Sequence, residues 1–399
     1  MIKIIKIIKK IFKAKFKLSL PQKKNLIVFD DETKYALEYI ISDYRHFILQ
    51  TRFDKVNIFY INPIIIFKTI INYKNNLWTA YIISLIQIIG PKVVITYIDN
   101  SYQFFDIARI MHKQIKFCAI QNGSRYGLKH SRFLFDNNLK KEDLNTKIYI
   151  PNFFCFGKFE SEDYKKYKVK VFNFIPAGSL RLSNFLIKNR DKKKNNPILN
   201  YDFCYISDGA IIGLDSHFGI KNSEQAMADF LKYIIKYNMD REIRFICSLK
   251  RLNGTKVSQE KELNFFKKHL NEKELNFLLK NSTINFTKSA YLSYELMTQS
   301  KLVVSCYSTM LRENLSLSNK VLAVNLMSND ILDFPLKGIC SLNRCTYIEF
   351  EQRVDEIYRL SNEEYLKKID GNPKELMEFN KSSSGIDKIK NTLNNFINN

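Results

Sequence analysis

Short runs of Ile, Val, Leu and Phe, bounded by polar turns, alternate along this chain with stretches whose apolar residues recur at helical spacing. In the first half the runs at 25–29, 56–61, 92–98, 116–121, 152–156 and 171–175 read as strands, the first ending in Asp30-Asp31. Between them, 101–112 carries Phe104, Phe105, Ala108 and Met111 on one side of a helix. Asn189 to Pro197 is polar, charged and Pro-terminated, as a linker would be. The alternation then restarts: strand 201–206, helix 223–237, strand 242–248, a lysine-rich helical stretch 259–279, and strands 284–286, 302–305 and 320–325. Strands separated by helical segments predict βαβ units and parallel sheets. No internal repeat at solenoid periods interrupts the pattern.

At 399 residues the chain is long for one domain. The pattern predicts an α/β protein of two Rossmann-like lobes facing a central cleft, with 21–190 as one lobe and 191–360 as the other. Residues 361–399 form a polar helical tail broken at Ser382 to Ser384, and 1–20 is a segment of another kind. No apolar stretch reaches the ~18 residues of a spanning helix; the nearest, 77–89, is short and carries Thr79, Ser84 and Gln87.

Charge adds a partner to this picture. The formal net charge is +23, which suits nucleic acid, anionic lipid or a phosphorylated small molecule. Lys, Ile and Asn are also abundant in proteins encoded by AT-rich DNA, so composition alone decides little. No RNA-recognition, zinc-finger or helix-turn-helix signature is present, and a nucleic-acid partner is not expected. The N-terminus is more specific. Lysines at 3, 6, 9, 10, 13 and 17 fall near one helical face, Ile4, Ile5, Ile8, Ile11 and Phe12 near the other, and no acid precedes Asp30. Those lysines interrupt the apolar core that a signal peptide needs. Residues 1–18 are therefore expected to lie on an anionic membrane surface, placing the protein in the cytoplasm, peripheral on the inner face of the membrane. The seven cysteines are scattered without a C-x-x-C and read as reduced core thiols.

Candidate chemistry sits where strands end. Tyr97-Ile98-Asp99-Asn100-Ser101 is one such turn. Gln121-Asn122-Gly123-Ser124-Arg125 is a second, with a glycine able to take positive φ and an arginine fork for phosphate or carboxylate. Ala177-Gly178-Ser179-Leu180-Arg181 is a third. The fourth, from Ser207 to Ser216, has Asp208 and Asp215 bracketing a glycine-bearing turn, with His217 two residues beyond.

Leu302 to Asn325 carries the clearest signal: buried strand, small polar turn, helix, second buried strand. Ser305, Ser308 and Thr309 place hydroxyls and backbone N–H groups at a helix N-terminus, which favours phosphate. Glu313 follows about one turn later, suited to a ribose or sugar hydroxyl. Lys250 and Arg251 supply cations at the end of another strand. Together these could stabilise the charge that develops on a departing nucleotide. There is no Asp-x-Asp triplet, Walker A, Gly-x-Gly-x-x-Gly or serine-hydrolase elbow, so neither metal nor cofactor is expected.

Gln121-Asn122-Gly123, Ala177-Gly178-Ser179-Leu180-Arg181 and the Ser305…Glu313…Val324-Asn325 segment together resemble bacterial surface-carbohydrate and capsule biosynthesis proteins of the GT-B glycosyltransferase type. A more distant similarity is to the retaining Kdo transferases of capsule and lipopolysaccharide O-antigen assembly. The resemblance implies a GT-B fold. It also implies a nucleotide-sugar donor in the C-terminal lobe, held by Lys250, Arg251, Ser305, Ser308, Thr309 and Glu313. The acceptor would lie in the N-terminal lobe near Asn100, Asn122, Gly123, Arg125, Gly178, Ser179 and Arg181, with His217 at the cleft. In the Kdo-type comparison Asp215 stands where the carboxylate falls and the donor is CMP-activated.

For catalysis the candidates are Asp215, Asp208 and Asp99, with Asp30 as a further base; a retaining route needs a nucleophile and an inverting one a general base. The expected activity is metal-independent glycosyl transfer from a nucleotide-sugar to a surface polysaccharide or lipid-linked glycan. Alternatives are a nucleotide-sugar epimerase, a polyol-phosphate transferase of similar outline, or a non-catalytic glycan-assembly scaffold.

Overall fold

The computed structural model describes residues 14–74, 76–124, 148–166, 169–190, 199–208, 222–250, 256–287, 289–379 and 385–398. The chain divides into two compact units. One comprises residues 1–122, 136–184 and 380–399, the other 123–135 and 185–379.

In chain order the first unit contains β1 (Lys15–Lys17), β2 (Leu26–Phe29), β3 (His46–Leu49), β4 (Ile58–Tyr60), β5 (Val93–Thr96), β6 (Lys116–Ile120), β7 (Tyr149–Cys155) and β8 (Lys170–Pro176). Six of these form one sheet in the order β3-β2-β5-β6-β7-β8, every pair parallel. β2, β5 and β7 are buried along their whole length, as parallel strands covered on both faces require. Helix Tyr102–Met111 starts where the Ser101 hydroxyl caps the Phe104 N–H, and it buries Phe104, Phe105, Ala108 and Met111 as the spacing predicts. Helix Leu77–Ile89 ends on Gly90 at φ 62, the left-handed conformation that glycine adopts without strain.

Three readings need correction. Residues 15–17, expected inside an N-terminal helix, form β1 in register with β4, with Phe16 stacked on Phe59 at 5.9 Å. Lys-Phe-Lys alternation suits a strand as well as a helix, and the exposed edge of β4 decides. Residues 1–13 lie outside the described residues. The strand expected at 284–286 is a 3-10 turn, Thr283–Asn285, whose Ile284 N–H is captured by the Ser282 hydroxyl. Among the described residues a single bridge, Cys247 to Ser282, joins the ladder there. The lysine-rich stretch is two helices, Lys256–His269 and Glu272–Lys280, separated where Asn271 and Glu274 form a capping box. β3 was not expected; His-Phe-Ile-Leu is too short a pattern to read.

The second unit contains β9 (Tyr201–Ile206), β10 (Phe245–Ser248), β11 (Ser300–Ser305), β12 (Lys320–Asn325), β13 (Lys337–Gly338), β14 (Ser341–Asn343) and β15 (Ile369–Asp370). Its sheet runs β10-β9-β11-β12-β14, all parallel, with β13 and β15 a separate antiparallel pair. Both units are therefore doubly wound α/β sheets of the Rossmann-like kind. Among the described residues no helix is long and apolar enough to cross a membrane. All seven cysteines are free thiols, and all but Cys345 are buried.

The C-terminal helix, Gly385–Asn398, returns to the first unit and buries Ile386, Ile389 and Leu393. Its first residue admits no side chain: a Cβ on Gly385 would stand 2.0 Å from the Ala177 carbonyl oxygen. Gly385→Ala is expected to destabilise this unit by about 1–3 kcal/mol through overpacking against backbone. A thermal-melt midpoint unchanged within 1 °C would show instead that the helix start shifts freely.

Candidate functional site

In the second unit the chain passes from β9 to β10 on one side and then returns to β11 on the other. The order reverses between β9 and β11, so their carboxyl ends diverge around a crevice, the usual ligand site of an open α/β sheet. Three strand ends meet there. β9 runs into Ser207-Asp208, β10 into Leu249-Lys250, and β11 into the turn Cys306 to Ser308.

Asp208 ties these ends together. It is 3% exposed, and its Oδ2 accepts the Ser305 hydroxyl at 2.9 Å and the Cys306 N–H at 2.8 Å. The Ser305 hydroxyl also lies 2.7 Å from the Ile206 carbonyl, so its single proton is shared between two acceptors on the β9 side. Lys250 Nζ donates to the Asp208 carbonyl oxygen at 2.8 Å and sits 5.3 Å from the Tyr307 ring centroid. Asp208 Oδ1 is buried with no hydrogen-bond partner among the described residues. Burial raises the Asp208 pKa, opposed by the Lys250 charge and by the Cys306 and Ser305 donors. The three residues expected in separate catalytic and donor roles thus form one cluster.

The turn hands over to helix Thr309–Ser316, capped where the Ser308 hydroxyl accepts the Met310 N–H. The positive end of that helix dipole lies beside the Lys250 cation. Thr309 Oγ1 accepts the backbone N–H of Ser124, a residue of the same unit, at 2.9 Å. Glu313 is 2% exposed and accepts the Tyr294 hydroxyl at 2.8 Å, while the Tyr294 ring stacks on Phe185 at 5.4 Å. Glu313 therefore faces the packed interior between helices, not an open surface. Its neighbour Arg312 is buried as well.

The first unit has the same reversal, between β2 and β5. Asp30 follows β2 and Asp99 follows β5 by three residues. Asp30 is held by Arg52 Nε at 2.7 Å, and burial raises its pKa against that attraction. Asp99 is fully buried, and its Oδ1 accepts the Asn122 N–H at 3.4 Å. Asn100 after β5 and Asn122 after β6 are half-buried, as is Gly123, which belongs to the second unit. After β8, Gly178 takes φ 70, and the Ser179 hydroxyl caps helix Leu180–Lys188 through the Leu182 N–H. Gly178 and Ser179 thus shape the turn, whereas Arg181 is exposed. Asp215, His217, Arg251 and Arg125 lie outside the described residues.

One site feature escaped the sequence reading. Glu262, 2% exposed, accepts a hydrogen bond from Ser207 beside Asp208. The signal was present: Glu262, Phe266 and Leu270 fall at four-residue steps, a carboxylate on an apolar stripe of a lysine-rich helix.

Residues 118–394 match a protein family described as "putative O-antigen biosynthesis protein". The chain belongs to that family. This O-antigen biosynthesis family member is matched in sequence by no curated protein. In structure it is similar to a variant of the wall teichoic acid polymerase TagF, with TM-score 0.53 and 11% identity over 94% of this chain and 90% of that one. It is also similar to a "putative UDP-N-acetylglucosamine 2-epimerase" from Listeria monocytogenes, with TM-score 0.51 and 13% identity over 88% of this chain and 92% of that one. At such identities the likeness establishes the fold, which is GT-B-like, as the motifs lead one to expect.

Proposed function

We propose that this protein is a glycosyltransferase of surface-carbohydrate assembly that takes its sugar from a nucleotide-activated donor bound at the β9–β11 crevice of the second unit. The observation that carries this reading is the Asp208–Ser305–Lys250 cluster, which sets a cation and a helix N-terminus side by side at the reversal point of the sheet. A departing nucleotide gains negative charge on phosphate. Fixed donors and cations already aimed at that position stabilise it without reorganising. Lys250 and the Ser308–Thr309 end of the helix would hold the phosphates. Asp208, buried and bonded to the turn, is a positioning residue that fixes the β11 turn. Proton removal from the acceptor then falls to Asp215, which follows β9 in the sequence. The family description and the polymerase of similar fold support a glycan or lipid-linked acceptor.

The Listeria protein of the same fold favours a second reading, a nucleotide-sugar epimerase. The two separate cleanly, because an epimerase converts the donor alone whereas a transferase releases nucleotide only when acceptor is supplied.

The test is thermal-shift binding against CMP-, UDP-, GDP- and CDP-activated sugars, with Lys250→Ala alongside. One nucleotide class should stabilise the protein. Lys250→Ala should weaken that binding about tenfold or more, the worth of a charge-assisted hydrogen bond to phosphate. Its own unliganded midpoint should stay near that of the wild type, because Lys250 is exposed. No stabilisation by any nucleotide class would refute the donor site.

A further inference from the structure

Helix Pro63–Asn72 in the first unit is apolar on the side that faces away from the protein. Ile65 and Thr69 pack inward at 1% and 8% exposure. Phe67, Ile70 and Ile71 stand out at 64%, 66% and 64%. Single exposed hydrophobes are ordinary, but a contiguous face of them marks an interaction surface. This face is contiguous. The Ile61 N–H bonds the Lys17 carbonyl at 2.8 Å, and the Asn62 side chain bonds the Leu18 carbonyl at 2.8 Å, which brings exposed Phe16 and Leu18 beside the helix start. Among the described residues, eleven of the seventeen exposed large apolar side chains fall in 16–20 and 61–77.

The face is also held rigidly. The Asn72 side chain bonds Ser84 and Gln87, each at 3.0 Å, and Tyr81 receives the Tyr60 N–H at 2.9 Å. The apolar stripe is therefore an imposed feature of the surface. Its charge is one-sided. Lys15, Lys17, Lys68 and Lys74 lie on these segments, and the sequence has no Asp or Glu before Asp30 or between Asp54 and Asp99.

We infer that this face, β1–β4 together with helix Pro63–Asn72, docks on an anionic lipid bilayer. Aliphatic and aromatic side chains enter the headgroup boundary, and the flanking lysines meet anionic headgroups. A second copy of the chain fits less well, since a two-fold contact through this face would bring lysine against lysine. This face anchors the first unit through apolar area.

Flotation of the full-length protein with phosphatidylcholine vesicles, and with phosphatidylcholine–phosphatidylglycerol vesicles at about 7:3, tests this. The wild type should float with the anionic vesicles, and Phe67→Glu/Ile70→Glu should reduce its partitioning about tenfold or more. Ile110→Glu, at an exposed apolar position elsewhere on the same unit, should change nothing. If the double variant loses its near-UV circular dichroism, the single variant Ile71→Ser gives the same reading at about threefold. Retained binding in the variants overturns the inference, as does a wild type that floats with neither vesicle. So does a wild-type dimer that Phe67→Glu/Ile70→Glu converts to monomer while vesicle binding stays intact.

Discussion

Asp208→Ala is expected to lower the stability of the second unit by about 2–4 kcal/mol and to abolish donor binding. The alanine removes the acceptor of the buried Cys306 N–H, and the Ser305 hydroxyl keeps only the Ile206 carbonyl. An orphaned N–H in the interior costs its full desolvation, which is why truncation hurts more than a neutral exchange. In a unit of this size each kcal/mol moves the melting midpoint by about 2–4 °C. Asp208→Asn should do far less harm, since its amide oxygen can still accept from Cys306.

The pair also reports on charge. Burial raises the folded-state pKa of Asp208 above its ordinary 3.8. Such a group contributes stability fully below the ordinary value, and that contribution is lost as pH rises through the folded-state value. The melting midpoint of Asp208→Asn relative to wild type should therefore climb as pH is raised from below 4 towards neutrality. A difference that stays flat with pH would show that the carboxyl is not the source of the cost. An Asp208→Ala protein that melts normally and still binds donor would remove Asp208 from the site altogether.

Glu313→Ala carries the second large effect. Glu313 is buried against Tyr294, whose hydroxyl has it as acceptor at 2.8 Å and whose ring is fixed on Phe185. Truncation strands that hydroxyl and opens a void behind helix Thr309–Ser316, at a cost of about 2–3 kcal/mol. Glu313→Gln keeps the volume and one acceptor oxygen and should recover most of the stability. Binding separates the two roles. If Glu313 acts by seating helix Thr309–Ser316, the glutamine variant binds donor nearly as well as wild type. If its charge meets a ribose hydroxyl, Glu313→Gln loses affinity with its stability intact. Calorimetric titration of both variants with the stabilising nucleotide distinguishes these results.

Much of this protein is legible in its sequence because a buried parallel strand is a local signal. Tyr201–Ile206 and Lys320–Asn325 stand in the structure at the residues where their apolar runs begin and end. Helix Tyr102–Met111 buries the side that its spacing marks. The turns that carry the site were legible for the same reason, since a small polar turn after such a run falls at a strand end. Ser305, Asp208 and Lys250 could each be named on that ground. Partnership could not be read, because hydrogen bonding between residues 97 or 42 positions apart leaves no trace in spacing. Sheet order decides it: β9 lies between β10 and β11, and only that arrangement brings the Asp208 carboxylate under the Cys306 N–H. Tertiary packing likewise turned Glu313 inward and made residues 15–17 a strand where β4 offered an open edge. It also set the outward face of Pro63–Asn72, because an all-apolar helix becomes a surface only once one of its sides is packed away.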